Sequence, residues 1–444
     1  MNYDFVIIGA GLAGMTAALK ALNSGMKTIV VSTGASTMNV MSGCLDLFGD
    51  ADNPWPALRE LALEKPGHPY AFLREGEIHE ALSFFVEQMK GSCPYHYKRG
   101  FYNFRIPTSF GNQRYTCLLP EGQLAAATTE GPVLVIGLNG YLDFCAELLA
   151  EGMQKRGYKG WQAAEVDLDC LQPPGDRAVD GSGRSLNSVE IAARLEQSWQ
   201  LLAEELSGKV QGFDAVAFPA VLGMDQHLPV KRGLEEFLGV SVFEVPTIPP
   251  SLPGMRLSRS LVAKIRRLGG DLLQGFPVVS ADVKGCVCSG VMVSTPGRTR
   301  CIKGKNFLLA TGGILGGGIL VEREGASEVV FHLPVSNSGS DTYIQVDSQT
   351  AQTAPSDDEN KGRSRTLRNQ RKADFSQLPT SDLRHQASIF QAGVRVNQQM
   401  QPLAVDGSVM LENVFCAGRI LAGYDPFIEG SGAGVAIATG YKAA

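Results

Sequence analysis

The chain has 444 residues, of which 51 are glycine, and a formal net charge of −5. Its apolar fraction of 44% and charged fraction of 19% are typical of a globular protein and exclude a disordered chain. The balance of 40 basic and 45 acidic residues gives no indication of nucleic acid or anionic lipid as a direct partner. Because glycine exceeds its average of about 7%, the positions of the glycines are informative.

Neither a targeting segment nor a metal site is indicated. The N-terminal residues lack a basic segment followed by a signal-type apolar run. No apolar run approaches the roughly 18 residues that cross a bilayer, so we expect a cytoplasmic chain without a direct membrane span. None of the nine cysteines forms a Cys-x-x-Cys pair, and no set of metal ligands is predicted.

The first predicted unit is a strand, a glycine turn, a helix and a second strand. Residues 5–8 are a continuous apolar run, which is typical of a strand buried on both faces. The turn at 9–14 leads into an alanine- and leucine-rich segment at 15–23, and residues 28–31 form the next buried run. This order within about 30 residues predicts one βαβ unit.

The turn of this unit carries the spacing Gly-x-Gly-x-x-Gly, which in this context predicts a phosphate site. Gly9 allows the tight turn, Gly11 lets a phosphate approach the backbone, and Gly14 lets the helix pack closely against the strand. The usual acidic residue after the second strand is replaced by Ser32 and Thr33. Either adenosine is held without a carboxylate, or the cofactor has no adenosine.

The middle of the chain has a different character. Residues 132–138 and the amphipathic stretch 142–156 predict a second α/β unit, and residues 215–219 predict a further strand. We interpret residues 51–245 as an α/β substrate or cap domain inserted into the first fold.

From residue 246 the pattern of the first unit returns. Residues 255–268 have apolar positions at helical spacing and predict an amphipathic helix. The predicted strands that follow lie at 276–280, 285–294, 299–302 and 307–311. The last of them runs into Gly312 and Gly313, small residues suited to the edge of a nucleotide site.

The last part of the chain contains a polar stretch and a second glycine-rich helix start. Residues 336–382 have no apolar periodicity and predict a long flexible excursion. After a strand at 414–417, the cluster Gly430, Ser431 and Gly432 opens a C-terminal helix of small residues. The amino end of such a helix can stabilise negative charge on a reduced flavin ring.

Together these segments resemble the two-domain flavoprotein fold of succinate dehydrogenase and fumarate reductase flavoprotein subunits. More closely, the chain is similar to the family of B subunits of anaerobic glycerol-3-phosphate dehydrogenases. The resemblance rests on FVIIGAGLAG at 5–14, MSGCLDLFG at 41–49, VPTIPPSLPGMRL at 245–257, LLATGGILGGGILVEREG at 308–325, and ENVFCAGRILAGYDPFIEGSGAGVAIATG at 412–440.

The resemblance implies a Rossmann-like FAD/NAD(P)-binding domain formed by residues 1–50, 246–335 and 383–444. It implies a flavin-dependent enzyme that oxidises glycerol 3-phosphate to dihydroxyacetone phosphate and passes electrons to a quinone pool towards fumarate or nitrate. The implied partners are an A subunit and a membrane-associated iron–sulfur C subunit, which would place the chain on the inner face of the cell membrane. FMN is expected ahead of FAD, because the family's B subunit is described as carrying FMN and the ribose-binding carboxylate is missing.

The resemblance and the glycine clusters also identify candidate site residues. The expected cofactor contacts are Gly9, Gly11, Gly14, Ser42, Gly43, Gly312, Gly313, Gly430, Ser431 and Gly432. Substrate oxidation needs a general base, and an anionic substrate needs a basic side chain. The candidates are His68, His332 and His385 as bases, Arg256, Arg323 and Arg419 as phosphate ligands, and Asp425 and Glu429 as further proton acceptors.

Three alternatives remain open from the sequence. The chain could relay electrons or dock a partner while the A subunit performs the chemistry. It could be a fumarate-reductase-like or ketosteroid-dehydrogenase-like flavoenzyme with another substrate, or a nucleotide-binding module without activity.

Overall fold

A computed structural model describes residues 2–34, 36–167, 187–322, 325–336 and 389–444. Within these residues the strands, numbered in chain order, are β1 (Asn2–Ile8), β2 (Thr28–Ser32), β3 (Tyr95–His96), β4 (Phe104–Pro107), β5 (Gln113–Thr116), β6 (Leu119–Pro120), β7 (Val133–Asn139), β8 (Trp161–Asp167), β9 (Ala215–Pro219), β10 (Ser241–Val245), β11 (Asp271–Gln274), β12 (Val278–Lys284), β13 (Val287–Thr295), β14 (Arg298–Leu309), β15 (Ile319–Glu322), β16 (Gly325–Glu328), β17 (Val335–Ser336), β18 (Gly393–Val394) and β19 (Val414–Cys416).

The helices alternate with these strands. They are α1 (Leu12–Asn23), α2 (Trp55–Glu64), α3 (Glu75–Met89), α4 (Ala125–Thr128), α5 (Ala146–Lys155), α6 (Ser188–Leu206), α7 (His227–Leu238), α8 (Leu252–Arg267), α9 (Pro426–Glu429) and α10 (Gly432–Lys442). Across the described ranges, none of the helices has the length and apolar character that crossing a membrane requires.

The larger sheet has seven strands in the order β11-β2-β1-β14-β13-β12, with β19 beside β14. Strands β11, β2, β1, β14 and β19 are parallel, while β12 and β13 continue the sheet as antiparallel strands. Ile8 pairs with both Val31 and Leu309, and Leu309 pairs with Cys416. The carboxyl ends of four parallel strands therefore meet at one edge, where α/β folds bind their ligands.

Helices α1 and α10 lie side by side against this sheet. Their close approach depends on small residues, because a Cβ added to Gly440 would lie 2.3 Å from the carbonyl oxygen of Ala13. Helix α8 packs its predicted apolar face, which includes Leu257, Leu261 and Ile265, into the same core. The amino ends of α1 and α10 thus reach the ligand-binding edge of the sheet.

A second sheet of four parallel strands has the order β10-β9-β7-β8. It has its own hydrophobic core, in which Val135, Phe218 and Phe243 pack with Leu195 of α6 and Leu234 of α7. The segment 51–245, predicted as an inserted α/β domain, thus contains a parallel α/β unit from residue 133 onwards.

The first part of that predicted segment packs elsewhere. Trp55, Phe85 and Leu118 belong to the core of the seven-stranded sheet. The role of residues 51–245 as a substrate domain stays a prediction, and its first half is built onto the larger sheet. Of the predicted excursion 336–382, only Ser336 lies within the described residues.

Candidate active site

The glycine turn between β1 and α1 has the predicted geometry. Gly9 has φ +115°, and a Cβ on it would lie 2.1 Å from the carbonyl oxygen of Ala310, the residue that follows β14. A Cβ on Gly14 would lie 2.1 Å from the carbonyl oxygen of Gly9. Gly11 instead faces open space, with Ser36 Oγ at 4.0 Å as the nearest atom to an added Cβ. Two of these glycines are needed for packing, and the third leaves room for a ligand.

The first turn of α1 is available to an anion. No side chain caps the helix at Gly11. The amide groups at the amino end of a helix lack partners within the helix, and the helix dipole adds positive potential there. A phosphate that approaches Gly11 would meet these amides.

One cavity, here called the β2 compartment, lies at the carboxyl ends of β1, β2 and β14 and has a volume of about 160 Å³. Its wall includes Ser32, Thr33, Val278 and Thr311. The hydroxyl oxygens of Ser32 and Thr311 are buried without a hydrogen-bond partner. Buried hydroxyls without partners are costly, so a ligand that bonds to them would be stabilised.

A second cavity, here called the α10 compartment, has a volume of about 380 Å³. Its wall comes from the start of α1, from seven residues of the loop after β2, from Arg114, from the first turns of α10 and from the segment before α10, which contributes Arg419, Tyr424, Pro426 and Phe427. The two compartments share five wall residues, which are Gly11, Thr37, Ala310, Gly312 and Leu315. They therefore meet at the glycine turn and suit an elongated ligand with a phosphate group near its middle.

The α10 compartment contains an ion pair between Asp46 and Arg114. Arg114 Nη2 donates to Asp46 Oδ2, and Arg114 Nη1 donates to Ser42 Oγ at 3.2 Å. Burial raises the pKa of Asp46, and Arg114 offsets this only in part. For Arg114, burial acts to lower the pKa, but the Asp46 carboxylate outweighs it and the net shift is upward.

The same compartment holds a buried cation, Arg419, that forms no ion pair with the described residues, although the carboxylates of Asp425 and Glu429 lie near enough to favour its charge. Arg419 Nη2 donates to the carbonyl oxygen of Phe390, whereas Arg419 Nη1 is buried without a partner. No carboxylate in the described parts of the chain forms an ion pair with Arg419, and burial lowers its pKa. A buried guanidinium without an ion-pair partner is unfavourable, so this position favours an anionic ligand.

Comparison with known proteins places the chain in a family. Residues 4–435 match the FAD binding domain family. The chain is 30% identical to the probable B subunit of the anaerobic glycerol-3-phosphate dehydrogenase of Halobacterium salinarum (strain ATCC 29341 / DSM 671 / R1), over 99% of this chain and 96% of the relative. The chain belongs to the family of anaerobic glycerol-3-phosphate dehydrogenase B subunits.

A bacterial relative agrees with this placement. The corresponding B subunit of Actinobacillus pleuropneumoniae serotype 5b (strain L20) is 27% identical over 99% of this chain and 97% of its own length. Among solved structures, 3-ketosteroid-Δ4-(5α)-dehydrogenase from Rhodococcus jostii RHA1 is similar, with 13% identity over 100% of this chain and 96% of that chain, and a TM-score of 0.33.

The predicted α/β flavoprotein fold is confirmed by the FAD binding domain family. The preference for FMN over FAD is not confirmed, because that family binds FAD.

For this member of the B-subunit family, the predicted cofactor residues fall into two groups. Five of them line the compartments, namely Gly9, Gly11, Ser42, Gly312 and Gly432. The others pack nearby. Gly14 contacts the glycine turn, Gly43 approaches Pro253, Gly313 approaches the carbonyl oxygen of Arg419, Gly430 ends α9 with φ +59°, and Ser431 donates to Glu429 at 3.0 Å.

Of the predicted bases, His68 is completely buried and lies behind the compartment wall. Its Nδ1 accepts a hydrogen bond from the Tyr70 amide at 3.0 Å, so Nε2 carries the ring proton and donates it to Glu429 at 3.0 Å. The imidazole also contacts the edge of the Tyr424 ring, with the ring centres 5.7 Å apart. These contacts favour a supporting role in which His68 holds Tyr424 and Glu429.

The remaining predicted residues lie away from the compartments or outside the described residues. Arg256 is buried, donates to both carboxylate oxygens of Glu244 and also bonds to the carbonyl oxygen of Gly223. Because these acceptors are internal, its contacts favour a structural role rather than phosphate binding. His332 is exposed and lines neither compartment. Arg323 and His385 lie outside the described residues.

The two predicted carboxylates at the ends of α9 also have internal partners. Asp425 is buried and accepts hydrogen bonds from the amides of Phe427 and Ile428, so it caps α9. Burial acts to raise the pKa of Glu429, but the hydrogen bond from His68 helps to lower it below its usual value. Neither carboxylate lines the compartments.

The sequence interpretation did not select Asp46, Arg114, Thr311 or Tyr424 as site residues, although it placed the strand end that contains Thr311 beside a nucleotide. Asp46 and Tyr424 lie within segments that carry the family resemblance, but nothing local distinguishes them from other polar residues. Arg114 lies in the short strand β5, which had no predicted pattern. Only the fold brings these four residues to the cavity wall.

Proposed function

We propose that this chain binds FAD, with the adenosine half in the β2 compartment and the flavin half in the α10 compartment. The observation that carries this proposal is the junction of the two compartments at Gly11, beside the free amides of α1. FMN would use the phosphate site and one compartment only. The buried, unpartnered hydroxyls of Ser32 and Thr311 would then remain unsatisfied.

The hydroxyl groups of the β2 compartment would replace the missing carboxylate. Ser32 and Thr311 would hydrogen-bond to the adenosine moiety, and the first turn of α1 would hold the diphosphate. The amino end of α10, which has no side-chain cap at Ser431, would favour negative charge on the flavin ring.

We further propose that the chain oxidises glycerol 3-phosphate to dihydroxyacetone phosphate. The relatives named above are subunits of anaerobic glycerol-3-phosphate dehydrogenases. FAD, when bound, supplies the two-electron acceptor for the alcohol carbon. Arg419, with an unpartnered N–H and no ion pair among the described residues, would hold the substrate phosphate.

The complex implied by the name of the relatives is also part of the proposal. The chain would assemble with an A subunit and a membrane-associated iron–sulfur C subunit, which would hold it at the inner face of the membrane and pass its electrons to quinone. Co-expression with those subunits and fractionation of the cells tests this. The chain should sediment with membranes only when the C subunit is present.

The cofactor is tested by releasing it from the purified, unheated protein and determining its mass. FAD is expected, and FMN would overturn the two-compartment assignment. The activity is tested by adding glycerol 3-phosphate to the isolated FAD-loaded chain without oxygen and following loss of the flavin absorbance. Bleaching by glycerol 3-phosphate, but not by glycerol, supports oxidation by this chain. Bleaching only when the A subunit is present would support the electron-relay role instead.

A further inference from the structure

Asp46 is the only carboxylate that lines either compartment within the described parts of the chain. It lies in the loop between β2 and α2, on the wall of the α10 compartment that also includes Arg419. The compartment therefore offers, at one place, a cation that forms no ion pair within the described residues and, at another, a carboxylate. An anionic alcohol needs both groups, one for its charge and one for its hydroxyl proton.

The position of Asp46 is fixed from two sides. Its carbonyl oxygen accepts a hydrogen bond of 2.9 Å from the amide of Gly434 in the first turns of α10. Its carboxylate is paired with Arg114, which Ser42 holds in turn at 3.2 Å. The Thr116 hydroxyl lies close enough to lower the pKa of Asp46, but it makes no hydrogen bond to Oδ1. A carboxylate held in this way is oriented before the substrate arrives.

The other titratable groups near the cavity are less suited to accept a proton. Cys44 donates its thiol to Gln123 Oε1 at 2.9 Å, and burial raises its pKa to about 11. His68 uses both ring nitrogens for internal hydrogen bonds, and Glu429 accepts from His68 and Ser431. Burial raises the pKa of the Tyr424 hydroxyl, so it remains protonated and can only donate to an anion.

Resting on the proposed function, we infer that Asp46 is the catalytic residue that accepts the hydroxyl proton of the substrate, and that Arg114 is the residue that positions it. The substrate O–H and C–H bonds break together. The proton of the O–H bond passes to the Asp46 carboxylate, and the hydrogen of the C–H bond leaves with its two electrons, for which bound FAD would be the oxidant. The C–O bond of the alcohol becomes the C=O bond of the ketone, and Asp46 returns its proton to water.

The environment of Asp46 suits this role. A general base works best when its pKa is close to the working pH, because it must be ionised and still attract a proton. Burial raises the pKa of Asp46 towards that range, while the positive charge of Arg114 opposes part of this shift. The other titratable groups facing Asp46 are Cys44, Cys117 and Tyr70. Burial raises the pKa of all three, so they stay neutral and Arg114 is the only charge among these four neighbours.

The main test compares the Asp46→Asn and Asp52→Asn variants of the FAD-loaded chain. Asp52 is an exposed carboxylate on the same loop and lines neither compartment. With glycerol 3-phosphate and no oxygen, D46N should reduce its flavin about 10²- to 10⁴-fold more slowly than the wild type. D52N should match the wild type. Dihydroxyacetone phosphate should still perturb the flavin spectrum of D46N with an unchanged dissociation constant.

The pH dependence separates a proton acceptor from a structural residue. In the wild type the reduction rate should rise with pH as Asp46 ionises and then level off, and D46N should lose this dependence. Arg114→Gln removes the cation that lowers the pKa of Asp46, so the increase of the reduction rate should move to higher pH. Arg114→Lys keeps a cation there, so the increase should lie closer to the pH at which it occurs in the wild type. Asp46→Glu, which keeps a carboxylate, should retain a pH-dependent rate if D46N proves unstable.

The failure of this inference differs from the failure of the proposed function. Wild-type rates and an unchanged pH profile in D46N would overturn the role of Asp46 and leave the oxidation of glycerol 3-phosphate in place. A wild-type flavin that glycerol 3-phosphate does not reduce, alone or with the partner subunits, would overturn both.

Discussion

The guanidinium carbon of Arg419 lies 5.4 Å from the centre of the Tyr424 ring, and both Arg419 Nη1 and the Tyr424 hydroxyl are buried without hydrogen-bond partners. The aromatic face stabilises the cation, but it does not satisfy the N–H group. Two unpartnered donors thus lie together on the wall of the α10 compartment. Such a pair is suited to a ligand with several acceptor oxygens, such as a phosphate.

Replacing Arg419 by glutamine should weaken substrate binding and leave FAD in place. A hydrogen bond to a charged group contributes about 1.5–3 kcal/mol, so the dissociation constant for dihydroxyacetone phosphate, which carries the same phosphate group as the substrate, should rise roughly 10- to 150-fold. Titration of the flavin spectrum with dihydroxyacetone phosphate measures this. Arg105→Gln, an exposed arginine outside both compartments, is the control. Equal constants for R419Q and R105Q would contradict the proposed role.

Replacing the buried hydroxyl of Ser32 by alanine should weaken FAD binding without weakening the fold. The apoprotein loses no hydrogen bond in S32A, since Ser32 Oγ has none. The FAD complex should lose about 0.5–1.5 kcal/mol, equivalent to roughly a 2- to 13-fold higher dissociation constant. Thermal unfolding with and without added FAD checks both statements. Ser294→Ala, which changes an exposed serine of β13, should change neither value, and a loss of apoprotein stability in S32A would contradict the prediction.

Substitution by alanine should have different effects at the second and third glycines of the turn, Gly11 and Gly14. Gly14→Ala places a methyl group 2.1 Å from the carbonyl oxygen of Gly9, which is backbone and cannot move aside. We expect it to lower the free energy of unfolding of the apoprotein by at least about 1–3 kcal/mol. Gly11→Ala has φ −77° and open space, so it should keep the apoprotein stable and weaken FAD binding. Urea unfolding measures the stability of both variants, and FAD titration measures their affinity for the cofactor. Similar losses of stability in G11A and G14A would contradict the prediction.

Local features of the sequence were sufficient to predict the first βαβ unit. Apolar runs mark β1 and β2, and the spacing of Gly9, Gly11 and Gly14 depends only on neighbouring residues. Strand β14 was harder to predict, because it is one strand over Arg298–Leu309 where the sequence indicated separate strands at 299–302 and 307–311. Its first half is largely exposed and rich in basic residues, so it has no continuous apolar run there.

The functional contacts could not be read from the sequence for a different reason. Asp46 and Arg114 are 68 positions apart, and their pairing depends on how β5 is placed beside the loop after β2. His68 and Arg256 were chosen for their chemistry, but the fold gives both of them internal partners. Residue type indicates what a side chain can do, whereas burial and long-range contacts decide what is left for it to bind.

The second sheet should make the protein sensitive to mild acid through His227. Burial lowers the pKa of His227 to about 4, and the nearby Arg256 acts in the same direction. The corresponding value in an unfolded chain is about 6.5, so the unfolded chain binds this proton more tightly. The stability due to a neutral His227 is therefore fully present above about pH 6.5 and decreases as the pH falls towards 4, by up to about 3 kcal/mol.

Urea unfolding at pH 7.5 and pH 5 compares the wild type with His227→Gln and His332→Gln. H227Q should lose much of the acid sensitivity, because glutamine does not titrate. H332Q, which changes an exposed histidine, should keep it. Glu244 contributes in the same direction, because Arg256 holds its pKa below the usual value against the opposing effect of burial. Part of the acid sensitivity should therefore remain in H227Q below about pH 4.3, the usual pKa of glutamate. An identical pH dependence of H227Q and the wild type between pH 7.5 and 5 would show that His227 is already solvated in the folded protein.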